Sequence, residues 1–138
     1  MPVLFTFEVY TPYRLFFSGS VEAVFLTLSD GEIGVYANHS PFTAPVKAGF
    51  LKVRDKEGKT LEAFVTEGIL EVKNHRVVLI VDAAEWPDEI DYDRAAADKK
   101  RAEENLKSSM FKFETDTILA ALRRAEYRIK LAEKKRLL

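Results

Sequence analysis

Every glycine and every proline of this 138-residue chain lies within its first 87 positions, and residues 88–138 contain neither. Glycine supplies turns that need a positive φ; proline fixes its own φ and removes a backbone donor, so the two punctuate a chain into short pieces. A long stretch free of both, rich in Ala, Lys and Glu, propagates helix without interruption. The chain is therefore expected to be short elements with frequent turns up to Pro87, followed by long helices.

Charge divides at nearly the same place. Residues 1–97 carry 9 Lys and Arg against 15 Asp and Glu, whereas residues 98–138 carry 12 against 7, although the whole chain has a formal net charge of only −1. An acidic body with a basic tail implies two parts that meet different partners. At this length the chain is one domain, or one domain with an appendage. Hydrophobic residues make up 47%, including ten Phe, enough to build a core. Cysteine is absent, which excludes disulfides and thiolate metal centres and fits a reducing compartment. The two histidines, His39 and His75, have no ligand spacing. Met1-Pro2-Val3 does not open a signal peptide, and no apolar run approaches about 18 residues, so a soluble, non-exported chain is expected.

The first part reads as β. Val3, Phe5, Phe7 and Val9 alternate with Leu4, Thr6, Glu8 and Tyr10 until Thr11-Pro12 breaks the run. A turn is expected at Ser18-Gly19-Ser20, followed by a strand with Val21, Ala23, Phe25 and Thr27 on one face and Glu22, Val24 and Leu26 on the other. Between Ser29 and Pro45, Gly31 and Gly34 bracket Glu32-Ile33, and Pro41 biases Ser40 toward extended geometry. Apart from a short strand at Ile33–Tyr36, this segment is expected to cross the domain as a long, mostly irregular loop, or as a structural corner between strands. Further strands are expected at Phe50–Arg54, Thr60–Thr66, Ile69–Lys73 and Arg76–Val81. Asp55–Lys59 forms a hairpin loop with Gly58 in a left-handed position, and Asn74-His75 a two-residue connection. Short strands at such spacing point to a small sandwich or barrel.

Beyond Pro87, Asp91 is placed to cap a helix running to about Ser108 with a thin apolar stripe of Ala95, Ala102 and Leu106. After Ser108-Ser109, Thr115 or Asp116 is expected to cap a second helix with Ile118, Leu122, Ala125, Ile129 and Ala132 on one face. Two helices joined by a short link make an antiparallel hairpin. Alanine faces bury little area, so this hairpin is expected to be weakly held and able to rearrange. The chain contains no phosphate-cradling loop, nucleophile elbow or dinucleotide fingerprint, and an enzyme acting alone is not expected.

Several fragments in fixed order carry a resemblance: Thr11-Pro12; Phe17-Ser18-Gly19; Gly31 to Val35 with His39-Ser40-Pro41; Glu67 to Val72; Ala84-Glu85; and Ile90 to Ala95. Together they resemble the epsilon subunit of F-type ATP synthases of the bacterial type, over nearly the whole chain. Ala37-Asn38-His39 stands where that family often has P-G-H, so the loop path is expected to differ locally. The resemblance implies an α+β fold: an N-terminal antiparallel β-sandwich of about ten strands over residues 1–86, then a C-terminal two-helix antiparallel hairpin over residues 87–138. It implies a non-catalytic rotor subunit of the central stalk of a proton-translocating synthase. The sandwich would bind the gamma subunit and the c-subunit ring, and the hairpin would extend toward the alpha and beta subunits of the catalytic head and restrain ATP hydrolysis. No nucleic acid is implied, membrane association is indirect, and the place is the cytoplasmic face of the bacterial plasma membrane.

Carried over residue by residue, the resemblance implies that Glu32, His39, Ser40 and Pro41 face the ring and shaft. Taken alone, an exposed acid and imidazole in such a loop also fit a solvated surface. No cofactor is required, but ATP is implied as a regulatory ligand of the folded hairpin. Its site would be formed by Glu85, Ile90, Asp91, Arg94, Ala95, Arg101, Arg124 and Arg128. Guanidinium forks suit phosphate oxygens, and Asp91 or Glu85 suits the adenine or ribose. Arg123, Arg124, Arg128, Lys130, Lys134, Lys135 and Arg136 are expected to form the inhibitory positive face, or else a solubilising one. The competing reading is a β-sandwich adaptor whose basic arm binds an acidic protein or nucleic acid; only Tyr127 interleaves the basic residues, which disfavours nucleic acid.

Overall fold

The computed structural model describes residues 3–136, with the side chain of Arg136 outside the description. Its strands are β1 (Phe5–Tyr10), β2 (Leu15–Leu28), β3 (Gly31–Tyr36), β4 (Phe42–Val46), β5 (Gly49–Asp55), β6 (Thr60–Val65), β7 (Gly68–Lys73), β8 (Arg76–Val81) and β9 (Ala84–Glu85). A single 3-10 turn at Pro87–Glu89 leads into α1 (Tyr92–Ser108) and α2 (Lys112–Arg136). The chain forms two compact units, Met1–Ala84 and Glu85–Leu138.

In the first unit the strands follow the order β1-β8-β7-β4-β2-β5-β6-β9, with β3 beside β2 and a further pairing of β1 with β2. Among β1 to β8 the paired strands are antiparallel apart from β1 and β8, which run parallel. The 14-residue β2 organises the unit: its first half pairs with β1 and its second half with β3 and β5. Sharing one long strand folds the sheet over itself, and the inward faces close on Phe7, Val9, Val24, Leu51, Phe64, Leu70 and Leu79, each at most 1% exposed.

Two sequence expectations need correction here. Ser18-Gly19-Ser20 does not turn; these residues sit inside β2, opposite Glu8, Phe7 and Thr6. The ladder to β1 supplies what local turn propensity would otherwise decide. A register shift between Val21 and Ala23 then moves the inward face, so that Val24 and Leu26 are buried while Phe25 is half-buried. Likewise, Ser29–Pro45 is not a long irregular loop. A tight turn at Ser29-Asp30 opens β3, and β4 already includes Pro45. Proline is tolerated there because β4 is paired along its length only to β7, with a single pair to β2 on the other side.

The hairpin loop after β5 forms as expected. Asp55 Oδ1 accepts hydrogen bonds from the Glu57 and Lys59 amides, both at 2.9 Å, and Gly58 adopts φ +82°. His75 carries the positive φ of the Asn74-His75 connection.

In the second unit α1 and α2 pack antiparallel, with the Tyr92 hydroxyl at the start of α1 donating to Glu133 Oε1 near the end of α2 at 3.2 Å. Asp91 caps α1 by accepting from the Arg94 amide at 3.1 Å. Ala95, Ala102, Ala125 and Ala132 are buried, whereas Leu106, Ile118, Leu122 and Ile129 are half-buried. α2 starts earlier than a cap at Thr115 or Asp116 would allow, because the Phe111 carbonyl already accepts the Thr115 amide at 3.0 Å. Thr115 Oγ1 lies 2.8 Å from Ser109 Oγ, so the hydroxyl fastens the link instead of capping the helix.

Candidate interaction surfaces

Four outward strand positions line up across the β1-β8-β7-β4 side of the sandwich. Pro45 is in register with Ile69, Ile69 with Ile80, and Ile80 with Tyr10. Tyr10 pairs in turn with Leu15 at the start of β2. Ile69, Ile80 and Leu15 are 52%, 54% and 50% exposed, so the row is an apolar stripe on the outer surface. One row along, Glu8 accepts from the Tyr10 hydroxyl at 2.8 Å and from Arg76 Nε at 2.8 Å. The Tyr10 hydrogen bond, then that of Arg76, holds the Glu8 carboxyl below its ordinary value; Glu8 in turn raises Tyr10 and Arg76. An apolar centre beside a charged, hydrogen-bonded border is the anatomy of a protein interface. None of these residues was singled out from the sequence. Ile69-Leu70 and Leu79-Ile80-Val81 are apolar on both faces, a pattern that reads as strand buried on both sides.

The residues expected to face the ring do not form one loop. Glu32 is exposed at the start of β3, whereas His39, Ser40 and Pro41 follow its end, roughly 13 Å further along an extended strand. Pairing of β3 with β2 separates them. Asn38 adopts φ 64°, which turns the chain so that the His39 ring packs 5.1 Å from Phe42 and its Nδ1 lies 2.9 Å from the Ser40 carbonyl oxygen.

The residues expected to hold nucleotide are only partly convergent. Glu85 binds the Arg128 guanidinium through two hydrogen bonds, Nε to Oε1 at 2.9 Å and Nη2 to Oε2 at 3.2 Å. Arg101 pairs with Asp98 on its own helix at 3.3 Å. Asp91 is committed to the helix cap, Ala95 is buried, Arg94 is exposed and Arg124 is half-buried. An open cleft of about 290 Å³ is lined by Pro87, Asp88, Ile90, Tyr92, Ala132 and Lys135, so Ile90 alone of the expected set borders it.

The positive face on α2 resolves into two rows, because residues four and seven apart share a helix face and adjacent residues do not. Arg123 and Lys130 both lie over the Tyr127 ring, at 4.9 and 5.3 Å from its centroid, in line with exposed Lys134. Arg124, Arg128 and Lys135 form the second row, in which Arg128 is matched by Glu85 and Lys135 by Asp88. The expected position Arg136 lies outside the described side chains. Among the described residues no cluster of metal-binding side chains occurs, and no helix is long and apolar enough to cross a membrane.

Two family models match the chain and meet three residues beyond the boundary between its two units. Residues 4–87 match the beta-sandwich domain of the ATP synthase delta/epsilon chain, and residues 88–133 match its long alpha-helix domain. The chain belongs to the ATP synthase delta/epsilon chain family. Within the family it is similar to the ATP synthase epsilon chain of Caldicellulosiruptor bescii, at 46% identity over 129 residues, covering 94% of this chain and 93% of that one. The ATP synthase epsilon chain of Caldanaerobacter subterraneus subsp. tengcongensis is 44% identical over 135 residues, 97% of each chain. Its fold is similar to that of a chain in the cryo-EM structure of Euglena gracilis mitochondrial ATP synthase, OSCP/F1/c-ring in rotational state 1. There the TM-score is 0.79 at 20% identity, covering all of this chain and 84% of the other. This epsilon-type chain is thus an ATP synthase subunit rather than a catalytic chain.

Proposed function

We propose that this chain sits on the central stalk of a proton-translocating synthase, gripping the shaft with its sandwich and restraining ATP hydrolysis with its helices. The single observation that carries the grip is the outward apolar row Leu15, Tyr10, Ile80, Ile69 and Pro45. It is assigned to the gamma subunit, and the segment His39–Pro41, with Glu32 at the other end of β3, to the c-subunit ring. The Arg123–Lys130–Lys134 row faces acidic segments of the alpha and beta subunits, and its attraction weakens with salt. The protein is held through these partners at the cytoplasmic face of a bacterial plasma membrane. ATP binds the folded helical unit and steadies it. Arg94 has no ion-pair partner among the described residues and is available to phosphate, whereas Arg128 must first exchange Glu85 for it.

Mixing the full-length chain with a gamma subunit and following co-elution on gel filtration tests the grip. A stable complex is expected for the native chain and its loss for Ile69→Asp with Ile80→Asp, both surface positions whose replacement leaves the core intact. Absence of a complex with the native chain, or an undiminished complex with the double variant, overturns the assignment.

A further inference from the structure

The helical unit buries small side chains and exposes large ones. Ala95, Ala102, Ala125 and Ala132 are buried, whereas Met110, Phe111 and Phe113, where α1 gives way to α2, are 85%, 66% and 82% exposed. A single apolar side chain in water needs no explanation, but three large ones within four residues at a chain reversal form a patch, and a patch marks a binding surface. Beside them lies an open hollow of about 350 Å³ with Phe113, Thr117 and Ile118 in its wall; Met110 and Phe111 stand outside it. The tip thus carries both projecting apolar side chains and a recess able to receive such side chains. That combination is what an isologous contact needs, in which each copy supplies what the other accepts.

Charge selects the occupant. Residues 103–116 hold Lys107 and Lys112 against Glu103, Glu104, Glu114 and Asp116, two positive charges against four negative, so an anionic lipid surface is repelled. The charges nearest the rings are of mixed sign instead. Lys112 and Glu114 are both exposed and flank Phe113; at about 100° per residue they stand about 200° apart around the start of α2, on opposite sides of that ring. When two tips meet end to end about a two-fold axis running along the Phe113 side chains, Lys112 of each copy lies over Glu114 of the other. The area agrees. At about 200 Å² per aromatic side chain, Phe111 and Phe113 present about 300 Å² of exposed surface per copy, or about 600 Å² for two. Met110 and the walls of the hollow bring the contact toward the roughly 1,000 Å² at which specific, weak interfaces begin. We propose that the tip formed by Met110, Phe111 and Phe113 is a self-association surface through which two copies of this chain make a weak two-fold dimer. No residue assigned to the shaft, the ring, the catalytic head or nucleotide takes part, so this dimer stands or falls separately from the stalk assignment.

Sedimentation equilibrium of the full-length chain tests the proposal. The native chain is expected to pass from monomer to dimer between about 10 and about 500 μM, the range of a small interface. Phe111→Ser with Phe113→Gln should raise the dissociation constant at least about tenfold. The serine falls where the backbone carbonyl accepts the Thr115 amide, a position at which serine caps a helix well, so α2 stays intact. Lys112→Glu and Glu114→Lys should each dimerise less than the native chain, because like charges then face each other. An equimolar mixture of those two variants should recover the dimer, one copy carrying two negative charges and the other two positive. Ile69→Asp with Ile80→Asp, on the sandwich, should leave the dimer unchanged. A native chain that stays monomeric to about 500 μM overturns the proposal. So does a dimer undiminished by the Phe111 and Phe113 changes, lost with the sandwich changes, or not recovered in the mixture. A monomer that sediments with vesicles of anionic phospholipid also overturns it, since the tip would then belong to a membrane.

Discussion

Gly68 has no room for a side chain: a Cβ placed there would lie 2.0 Å from the Ile80 carbonyl oxygen, a backbone atom that cannot swing aside. Gly68→Ala is therefore expected to cost the sandwich about 3 kcal/mol or more, read as a lowered urea midpoint. At Gly31, by contrast, the space is open and the cost of a side chain comes from φ +124° alone. Glu8 is expected to show itself through pH. Its folded-state carboxyl titrates below its ordinary value because Tyr10 and Arg76 hydrogen-bond the ionised form. The resulting stability is complete above the unfolded carboxylate range and disappears as pH falls through the lower folded value. A melting-temperature series between about pH 6 and about pH 2 should accordingly show a shallower acid limb for Glu8→Gln than for the native chain. The crowding of Gly68 by β8 and the hold of Arg76 on Glu8 from the far end of that strand are invisible in sequence neighbours, whereas Tyr10 stands only two residues from Glu8.

Among the elements, α1 shows how much local rules can deliver. Its cap and its end at Ser108 follow from residues within four positions of one another, its alanine stripe from a seven-residue helical spacing, and all three appear. α2 is different, because Leu131 stands off the Ile118–Ala132 stripe and is nonetheless 2% exposed. Helical period identifies one apolar face; it does not say how many sides are covered. In β2 the register shift near Val21 changes which residues turn inward, and alternation alone cannot place a bulge. The nucleotide proposal belongs at this scale. ATP should raise the melting temperature of the native chain in a concentration-dependent way, by linkage of ligand to the folded state, and Arg94→Ala should blunt the shift. No shift at millimolar ATP removes the proposal.

For the molecule as a whole, the proposed division of labour between its units has a direct test. Hydrolysis by an assembled catalytic head should be slower with the full-length chain than with a chain ending at Trp86, while both support the same gamma complex; equal rates would remove the inhibitory role. That division is legible in the residues alone. Glycine and proline act through their own backbone torsions and helix caps through neighbouring amides, so a β part to Pro87 and a helical hairpin beyond it are local consequences. Which side chains face which is settled by long-range packing instead. The outward row from Leu15 to Pro45 exists because five strands align in one register, and Arg128 finds Glu85 because chain segments 43 residues apart return to the same place. Such pairings depend on distant parts of the chain closing on each other, which no short window of residues records.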